Sequence, residues 1–254
     1  MLLPQIVYLQ TTTACNGHCR YCPHDDVYGD TINNMSFECY IKILQWLKVN
    51  NYQGRIGFLL HCEPTLDERL SYLVSLARMD LPKAKLEIAT NCIKDHEVLK
   101  KFDRVDRVPA GSLKSTTSRA GNVKACPEIA DRLILGPTPC SVPLESMCIT
   151  TSGDVILCCQ DWRHEAIVGT CDDLTDARNQ QLALIPEVHN LELEICADCR
   201  AGKTAEEVGD RLGKRFACKS KVEPKPMVEF YPIADPVITC DESVNSTWEK
   251  AAFE

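Results

Sequence analysis

The sequence contains no apolar run close to the ~20 residues that a membrane-spanning helix requires, and it has no surplus of positive charge. Lysine and arginine number 28 against 36 aspartate and glutamate residues, which gives a formal net charge of −8 and a pI of about 5.3. A broad nucleic-acid-binding face is therefore not expected. The first residues, 1–5, lack the basic and long apolar regions of a signal peptide. We therefore expect a cytoplasmic protein that binds neither membranes nor nucleic acid.

Cysteine, by contrast, is abundant. The 254 residues include 16 cysteines, and a chain without an export signal uses such residues for metal binding or redox chemistry rather than for disulfides. Nine of the cysteines fall into three groups, at 15/19/22, 140/148/158/159 and 196/199. The others are expected to be small buried residues.

Strand and helix signals alternate over the first half of the chain. Strands are predicted at about 5–11, 56–60, 85–90, 105–108 and 133–135, and helices at 36–47, 66–78 and 96–102. Repeated strand–helix units indicate a parallel sheet with functional loops at the carboxyl ends of its strands. We expect an α/β fold: a partial, shortened (β/α) barrel followed by a small cysteine-rich hairpin and helix.

The loop after the first predicted strand carries Cys15, Cys19 and Cys22 at Cys-x3-Cys-x2-Cys spacing. Three thiolates can hold three irons of a cubane cluster, and the loop has no fourth cysteine, so one iron is left open to an exogenous ligand. An open coordination position on the iron indicates a catalytic site rather than a structural one. The next two strands end in the polar residues Glu63 and Thr90-Asn91, which we expect at the same rim.

These features resemble the radical S-adenosylmethionine (SAM) superfamily, whose Cys-x3-Cys-x-aromatic-Cys signature is matched by Cys15, Cys19, Tyr21 and Cys22. The resemblance implies a [4Fe-4S] cluster whose open iron is chelated by the amino and carboxylate groups of SAM. It also implies that Tyr21 lies against the adenine.

Two further elements carry the resemblance. The stretch His61-Cys62-Glu63-Pro64 is similar to the family's Gly-Gly-Glu-Pro element, which contacts the SAM amino group, although His61 and Cys62 stand where glycines are usual. Glu63 is therefore implied to bind SAM. Thr90-Asn91-Cys92 resembles the Thr-Asn-Gly turn at the third strand, again with cysteine for glycine. The later Gly-x-Ile-x-Gly pattern is not found, which agrees with a shortened barrel.

Two residues outside these motifs are candidates for the catalytic site. Arg119 lies in a segment, 112–124, whose hydroxyl groups and cations suit an anion or polyol site as well as a solvated loop. We take Arg119 as a candidate contact to a substrate or SAM carboxylate. Cys240, in the proline-rich tail, is a candidate hydrogen-atom donor as in radical epimerases, although a lone cysteine is usually inert.

The second half of the chain offers a separate set of four cysteines. Two β-rich runs around Ser152-Gly153-Asp154 predict a hairpin, and a Cys-x2-Cys knuckle follows later. The four candidate ligands are Cys140, Cys158, Cys196 and Cys199. Spacing alone permits a structural zinc site.

The pattern Cys140-x12-Gly153-x4-Cys158, followed by the Cys-x2-Cys knuckle, is similar to the SPASM/twitch extension of radical SAM enzymes. Position 205 is alanine where the full SPASM pattern has a further cysteine, so the truncated twitch form with one auxiliary [4Fe-4S] cluster fits better. Side chains alternate along a strand, so only one of Cys158 and Cys159 can face a cluster, and the spacing selects Cys158. The substitutes that stay open are Cys148, Cys159, Cys171 and Cys218.

The predicted domains are a radical SAM partial barrel over 1–137, a twitch-like domain over 138–219 and an extended tail over 220–254. A closing helix is expected at 203–216. The resemblance implies that SAM is cleaved reductively to a 5′-deoxyadenosyl radical, which takes hydrogen from a small polar substrate.

The auxiliary cluster would accept an electron, so a net oxidation is expected, such as dehydrogenation of a sugar or cyclitol alcohol. A donor such as flavodoxin or ferredoxin is implied. Two alternatives stay open: a peptide-modifying radical SAM enzyme that forms thioethers or epimers, and a non-enzymatic zinc-binding module.

Overall fold

The computed structural model describes residues 1–19, 22–91, 93, 97–109 and 140–200. Its strands are β1 (Ile6–Leu9), β2 (Arg55–Phe58), β3 (Lys85–Thr90), β4 (Arg104–Arg107), β5 (Ser146–Ile149), β6 (Asp154–Ile156) and β7 (Ile167–Thr170). Its α-helices are α1 (His24–Tyr28), α2 (Phe37–Val49), α3 (Leu70–Asp80), α4 (Val142–Glu145), α5 (Leu174–Ala183), α6 (Ile185–Asn190) and α7 (Glu194–Arg200). Short 3-10 helices cover Pro64–Leu66 and Glu97–Lys101.

The described strands form one open sheet in the order β4-β3-β2-β1-β5-β6-β7. Neighbouring strands from β4 to β5 are parallel. Strand β6 is antiparallel to both of its neighbours, β5 and β7. The carboxyl ends of β1, β2 and β3 therefore lie at one edge of the sheet. This arrangement confirms the predicted α/β fold and its open, partial barrel.

Helix α2 follows directly from its sequence. The Ser36 hydroxyl accepts a hydrogen bond from the Cys39 amide at 3.1 Å and caps the helix. The apolar residues at helical spacing are buried against the sheet, among them Ile43, Leu44 and Leu47. The prediction of a helix over 36–47 is confirmed.

The second predicted helix, 66–78, is wrong at its start, because α3 begins at Leu70. The Asp67 carboxylate accepts hydrogen bonds from the backbone N–H of Arg69 at 3.0 Å and from its guanidinium Nε at 2.9 Å. This local pairing holds a turn between the short 3-10 helix Pro64–Leu66 and α3.

The predicted hairpin is present as β5 and β6, and it extends the sheet of the first half. Strand β5 pairs with β1 in parallel, with Tyr8 opposite Cys148. All four residues of β5 are buried, so both faces of the strand are covered, as is typical of a strand in the middle of an α/β sheet. The boundary between 137 and 138 stays a prediction.

Other predicted elements have mixed outcomes. Strand 105–108 corresponds to β4, and the described part of helix 96–102 is the 3-10 helix Glu97–Lys101. Strand 133–135, the closing helix 203–216 and the tail 220–254 lie outside the described residues.

Within the described ranges, no helix combines the length and the apolar character needed to cross a membrane.

Arg178, on α5, is completely buried and ties this helix to the segment that leads into β5. Its guanidinium donates hydrogen bonds to the carbonyls of Leu2, Pro143 and Leu144 and to the Gln181 side chain. These carbonyls include two of α4, so the side chain satisfies the end of a helix that would otherwise be buried without partners.

Arg178→Met should therefore destabilise the protein by about 3 kcal/mol, because several buried carbonyls lose their donors at once. The urea midpoint of the reconstituted protein measures this loss. Arg104→Met is the matched control, since Arg104 is exposed and forms a surface ion pair with Asp106 at 3.0 Å. Equal midpoints for the two variants would contradict the structural role of Arg178.

Candidate functional site

The cysteine loop leaves the carboxyl end of β1 and is held from the two neighbouring strands. The Glu63 amide, after β2, donates to the Ala14 carbonyl at 2.8 Å. The Asn91 side-chain amide, after β3, donates to the Asn16 side-chain oxygen at 2.7 Å. The structure thus brings the loop, Glu63 and Asn91 together at one rim, as the parallel arrangement of the strands predicts.

Glu63 is 2% exposed and its carboxylate accepts four hydrogen bonds. Oε1 accepts from the Thr65 amide and hydroxyl, at 3.1 and 2.6 Å, and from the Thr90 hydroxyl at 2.9 Å. Among the described residues, the Asn91 amide donates to Oε2, at 2.5 Å. A carboxylate oxygen has two acceptor positions, so Oε2 can also bind a cationic ligand.

The turn that carries Glu63 has an uncommon backbone. Leu60 has φ +113°, a region that residues with a Cβ rarely adopt, and the Cys62 amide donates to the Leu60 carbonyl across the turn. Burial raises the pKa of the Cys62 thiol, and the adjacent Glu63 carboxylate raises it further. The turn presents three polar side chains in succession, His61, Cys62 and Glu63.

A cavity of about 340 Å³ lies at this rim. The cysteines of the loop line it together with Glu63, Thr90 and Asn91. Another part of its lining comes from the segment after β6, through Cys159, Gln160 and Trp162. Because β6 stands on the other side of β1 from β2 and β3, the cavity has two walls of different origin.

A buried hydrogen-bond network supports the second wall. The His61 Nε2 donates to the Cys159 carbonyl at 3.0 Å, so His61 Nδ1 is the acceptor toward the Tyr28 hydroxyl at 3.3 Å when the ring is neutral. Tyr28 also contacts Gln10 Nε2 at 3.1 Å and His164 Nε2 at 3.4 Å. Burial lowers the pKa of His164, which favours its neutral form.

The His61 ring also stacks on Trp162, with ring centroids 4.0 Å apart and planes 21° from parallel. The imidazole is therefore fixed by both of its nitrogens and by one face. It joins the end of β2 to the segment after β6.

The four cysteines of the second set also lie together. Burial raises the pKa values of Cys140, Cys158 and Cys196, to about 11 for Cys196, and the neighbouring Cys199 thiol adds to the shift in all three. Charge interactions weaken with distance, so Cys199 lies close enough to each of the other three for its charge to act on them.

By the same reasoning the substitute Cys159 lies near Cys140 and Cys158, since its thiol also raises the pKa values of both. The Cys148 thiol is hydrogen-bonded to Cys159, which lines the cavity. Cys171 is hydrogen-bonded to Cys39, and the two sulfurs flank Gly153. Cys218 lies outside the described residues. Which four cysteines are ligands stays a prediction.

Comparison with protein families identifies the chain. The model of the Radical SAM superfamily matches residues 9–133, which include the cysteine loop and the ends of β1 to β3. The chain belongs to the radical SAM superfamily.

One relative is a SAM-dependent dehydrogenase. The S-adenosyl-L-methionine-dependent 2-deoxy-scyllo-inosamine dehydrogenase of Niallia circulans is 21% identical over 233 residues, covering 76% of this chain and 92% of the relative. Two solved structures share the fold, each with a TM-score of 0.61. The first is BtrN in complex with AdoMet and 2-DOIA, at 18% identity over 76% of this chain and 92% of that one. The second is BtrN in an open conformation, at 19% identity over 81% and 97%.

Members of this superfamily use a [4Fe-4S] cluster and SAM, and the cysteine loop fits such a cluster. A Cβ built at Gly17 would lie 3.5 Å from the sulfurs of both Cys15 and Cys19 and from the Asn91 amide nitrogen. Glycine thus leaves open the space between these sulfurs. Burial raises the pKa of Cys15, and a hydrogen bond with the Gly17 backbone offsets part of this rise.

The described ranges contain no set of three histidine, cysteine or acidic side chains that converges as the ligands of a single metal ion do. A four-iron cluster takes its thiolates at separate iron corners, which lie further apart.

Several predicted residues have no described position. Tyr21, Cys92, Arg119 and Cys240 lie outside the described residues. Sequence reasoning missed the wall formed by Cys159, Gln160 and Trp162. In the sequence, the best available indication of this wall was the pair of consecutive polar residues His61 and Cys62 at the end of a strand.

Proposed function

We propose that this radical SAM enzyme is an oxidoreductase that dehydrogenates a secondary alcohol of a small cyclitol, aminocyclitol or sugar. The observation that carries the proposal is the presence of a second group of mutually close cysteines beside the segment that lines the cavity. Cys158 belongs to that group, and the next residue, Cys159, lines the cavity. The named activity of the Niallia circulans relative is in line with this substrate class.

Cys15, Cys19 and Cys22 are proposed to hold the SAM-binding cluster. When bound, that cluster supplies the electron that cleaves SAM and so provides the 5′-deoxyadenosyl group that removes hydrogen from the substrate. Glu63 binds the SAM amino group through Oε2. Hydrogen bonds from Thr90 and Asn91 hold the Glu63 carboxylate in place. Tyr21 and Arg119 stay candidates for the adenine and for a carboxylate.

An auxiliary [4Fe-4S] cluster on Cys140, Cys158, Cys196 and Cys199 is proposed as the electron acceptor. Dehydrogenation of an alcohol carbon removes one hydrogen atom to 5′-deoxyadenosine, one proton from the hydroxyl group and one electron. An acceptor near the cavity makes the loss of that electron possible. A flavodoxin or ferredoxin is the proposed external donor for SAM cleavage.

The cavity lining suits both the reaction and its substrate. Leu60 and Trp162 exclude water from one part, which protects a reactive carbon from side reactions. Gln160 and Asn91 offer amide groups that can bind hydroxyl or amino substituents.

Glu63→Gln should raise the Kd for SAM by about 10- to 100-fold, because a hydrogen bond to a charged group contributes about 1.5–3 kcal/mol. Equilibrium dialysis of SAM with the reconstituted enzyme measures the effect. Glu97→Gln is the control, since Glu97 is exposed and pairs only with Lys100 on the surface. An unchanged Kd in Glu63→Gln would remove Glu63 from the SAM site.

The function is tested by anaerobic reconstitution with iron and sulfide, followed by dithionite, SAM and 2-deoxy-scyllo-inosamine. The expected result is 5′-deoxyadenosine and a ketone in equal amounts. Formation of 5′-deoxyadenosine from SAM without a ketone from this amine or from related cyclitols would contradict the proposed dehydrogenation. Absence of 5′-deoxyadenosine would contradict the proposed SAM site.

A further inference from the structure

His61 follows β2 at the rim of the cavity, at a position where the family's Gly-Gly-Glu-Pro element has glycine. It is 3% exposed and is part of the cavity lining. The preceding Leu60 has φ +113°, and a strained turn of this kind persists where surrounding contacts hold it. A glycine has no side chain, so a chain with glycine at this position cannot make the contacts of the imidazole.

The side chain of His61 connects three parts of the sheet. Nε2 donates to the Cys159 carbonyl at 3.0 Å, and the ring stacks on Trp162 with centroids 4.0 Å apart. Nδ1 accepts from the Tyr28 hydroxyl at 3.3 Å, and Tyr28 in turn accepts from the Gln10 side-chain amide at 3.1 Å. Since Gln10 follows β1 directly and is completely buried, the imidazole is anchored to the centre of the sheet.

The segment that His61 holds contributes polar and aromatic side chains to the cavity. Gln160 and Trp162 both line it. The Cys159 carbonyl belongs to the peptide unit that joins Cys159 to Gln160, so the bond from His61 fixes the backbone from which Gln160 extends. The Trp162 amide donates to the Gln160 carbonyl at 3.0 Å, which ties the two lining residues into one turn.

The proposed SAM contact does not use the imidazole. The Glu63 carboxylate accepts its hydrogen bonds from Thr65, Thr90 and Asn91. None of these bonds involves the side chain of His61. Loss of the imidazole should therefore change the segment after β6 and leave the Glu63 carboxylate in place.

We infer that His61 is a positioning residue for the substrate. Its hydrogen bond to the Cys159 carbonyl sets the place of Gln160, and its ring sets the place of Trp162. Together these contacts determine the affinity of the cavity for a small polar substrate. The inference rests on the proposed function, because it takes this cavity as the substrate site. Both ring nitrogens are engaged by protein groups, so His61 acts through these neighbours and not on the reacting atoms.

The test is equilibrium dialysis of 2-deoxy-scyllo-inosamine with the reconstituted full-length enzyme and SAM, without dithionite. His61→Phe keeps a ring against Trp162 and removes both nitrogens. It should raise the Kd for the amine at least about tenfold and leave the Kd for SAM within about twofold. His61→Gln keeps an amide donor for the Cys159 carbonyl and should stay within about threefold of the wild type for both ligands. In turnover the KM for the amine should follow its Kd, with kcat within about threefold.

Hydrogen exchange gives a measure that needs no substrate. Backbone amides of residues 158–164 should exchange at least about tenfold faster in His61→Phe than in the wild type, because the segment loses its bond to the imidazole. His61→Gln should exchange as the wild type does. His189→Phe is the control and should match the wild type in binding and exchange, since His189 is exposed on α6 outside the cavity lining.

The outcomes separate the two proposals. An unchanged Kd for the amine in His61→Phe overturns the role of His61, and so does an equal loss of affinity for SAM and the amine, which a general loss of structure would cause. If His61→Phe does not take up iron, His61→Gln decides, and a tenfold weaker affinity of that variant for the amine overturns the inference. Each of these results leaves the dehydrogenation intact. If the wild type binds neither this amine nor related cyclitols, the proposed substrate class is wrong, and the inference falls with it.

Discussion

Cys19→Ala should abolish SAM cleavage, with 5′-deoxyadenosine formation at least about a thousandfold below the wild type. The same result is expected for Cys15→Ala and Cys22→Ala. Each of the three thiols is proposed to bind one iron, and the loop has no other cysteine to replace it. Without the cluster no electron reaches SAM to break its sulfonium carbon–sulfur bond, so SAM cleavage is lost completely.

The measurement is 5′-deoxyadenosine and methionine after anaerobic reconstitution and dithionite, together with iron analysis and visible absorption. Cys171→Ala is the matched control, because it removes a half-buried thiol of the pair around Gly153. It should retain cleavage and iron. Cleavage at the wild-type rate in any of the three loop variants would contradict the assignment of the cluster to this loop.

The second large effect is expected from Cys199→Ala, which should separate SAM cleavage from product formation. Burial raises the pKa values of Cys140, Cys158 and Cys196, and Cys199 is a thiol that adds to the shift in all three, so its charge acts on each of them. Its removal takes away one of the four ligands of the proposed auxiliary cluster. We expect 5′-deoxyadenosine within about twofold of the wild type and a ketone yield at least about a hundredfold lower, as for an interaction needed only after hydrogen removal.

Cys39→Ala serves as the control for this variant, because Cys39 is a buried cysteine of α2 that contacts Cys171. It should retain both products. Metal analysis separates the chemical alternatives for the second set: loss of iron in Cys199→Ala supports an auxiliary cluster, whereas loss of zinc supports a structural zinc site. If ketone formation survives Cys199→Ala unchanged, the electron leaves the substrate by another route.

The sequence by itself determined the parts of this protein that depend on local spacing. Cys15, Cys19 and Cys22 belong to a single short loop, so their common location needs no knowledge of the fold. Alternating strand and helix signals predict a parallel sheet, and a parallel sheet brings the residues after its strands to one edge. That reasoning placed Glu63 and Asn91 beside the loop correctly.

Only the tertiary structure decided the contacts between distant parts of the chain. His61 and Cys159 are 98 residues apart, and their hydrogen bond exists because β5 pairs with β1, which joins the segments after β2 and β6 to one sheet. Local periodicity does not encode which strands become neighbours, since that choice depends on hydrogen bonds and packing between residues far apart in the sequence. The start of α3 was missed because the Asp67 carboxylate accepts a hydrogen bond from the Arg69 amide, and this local bond competes with the helix.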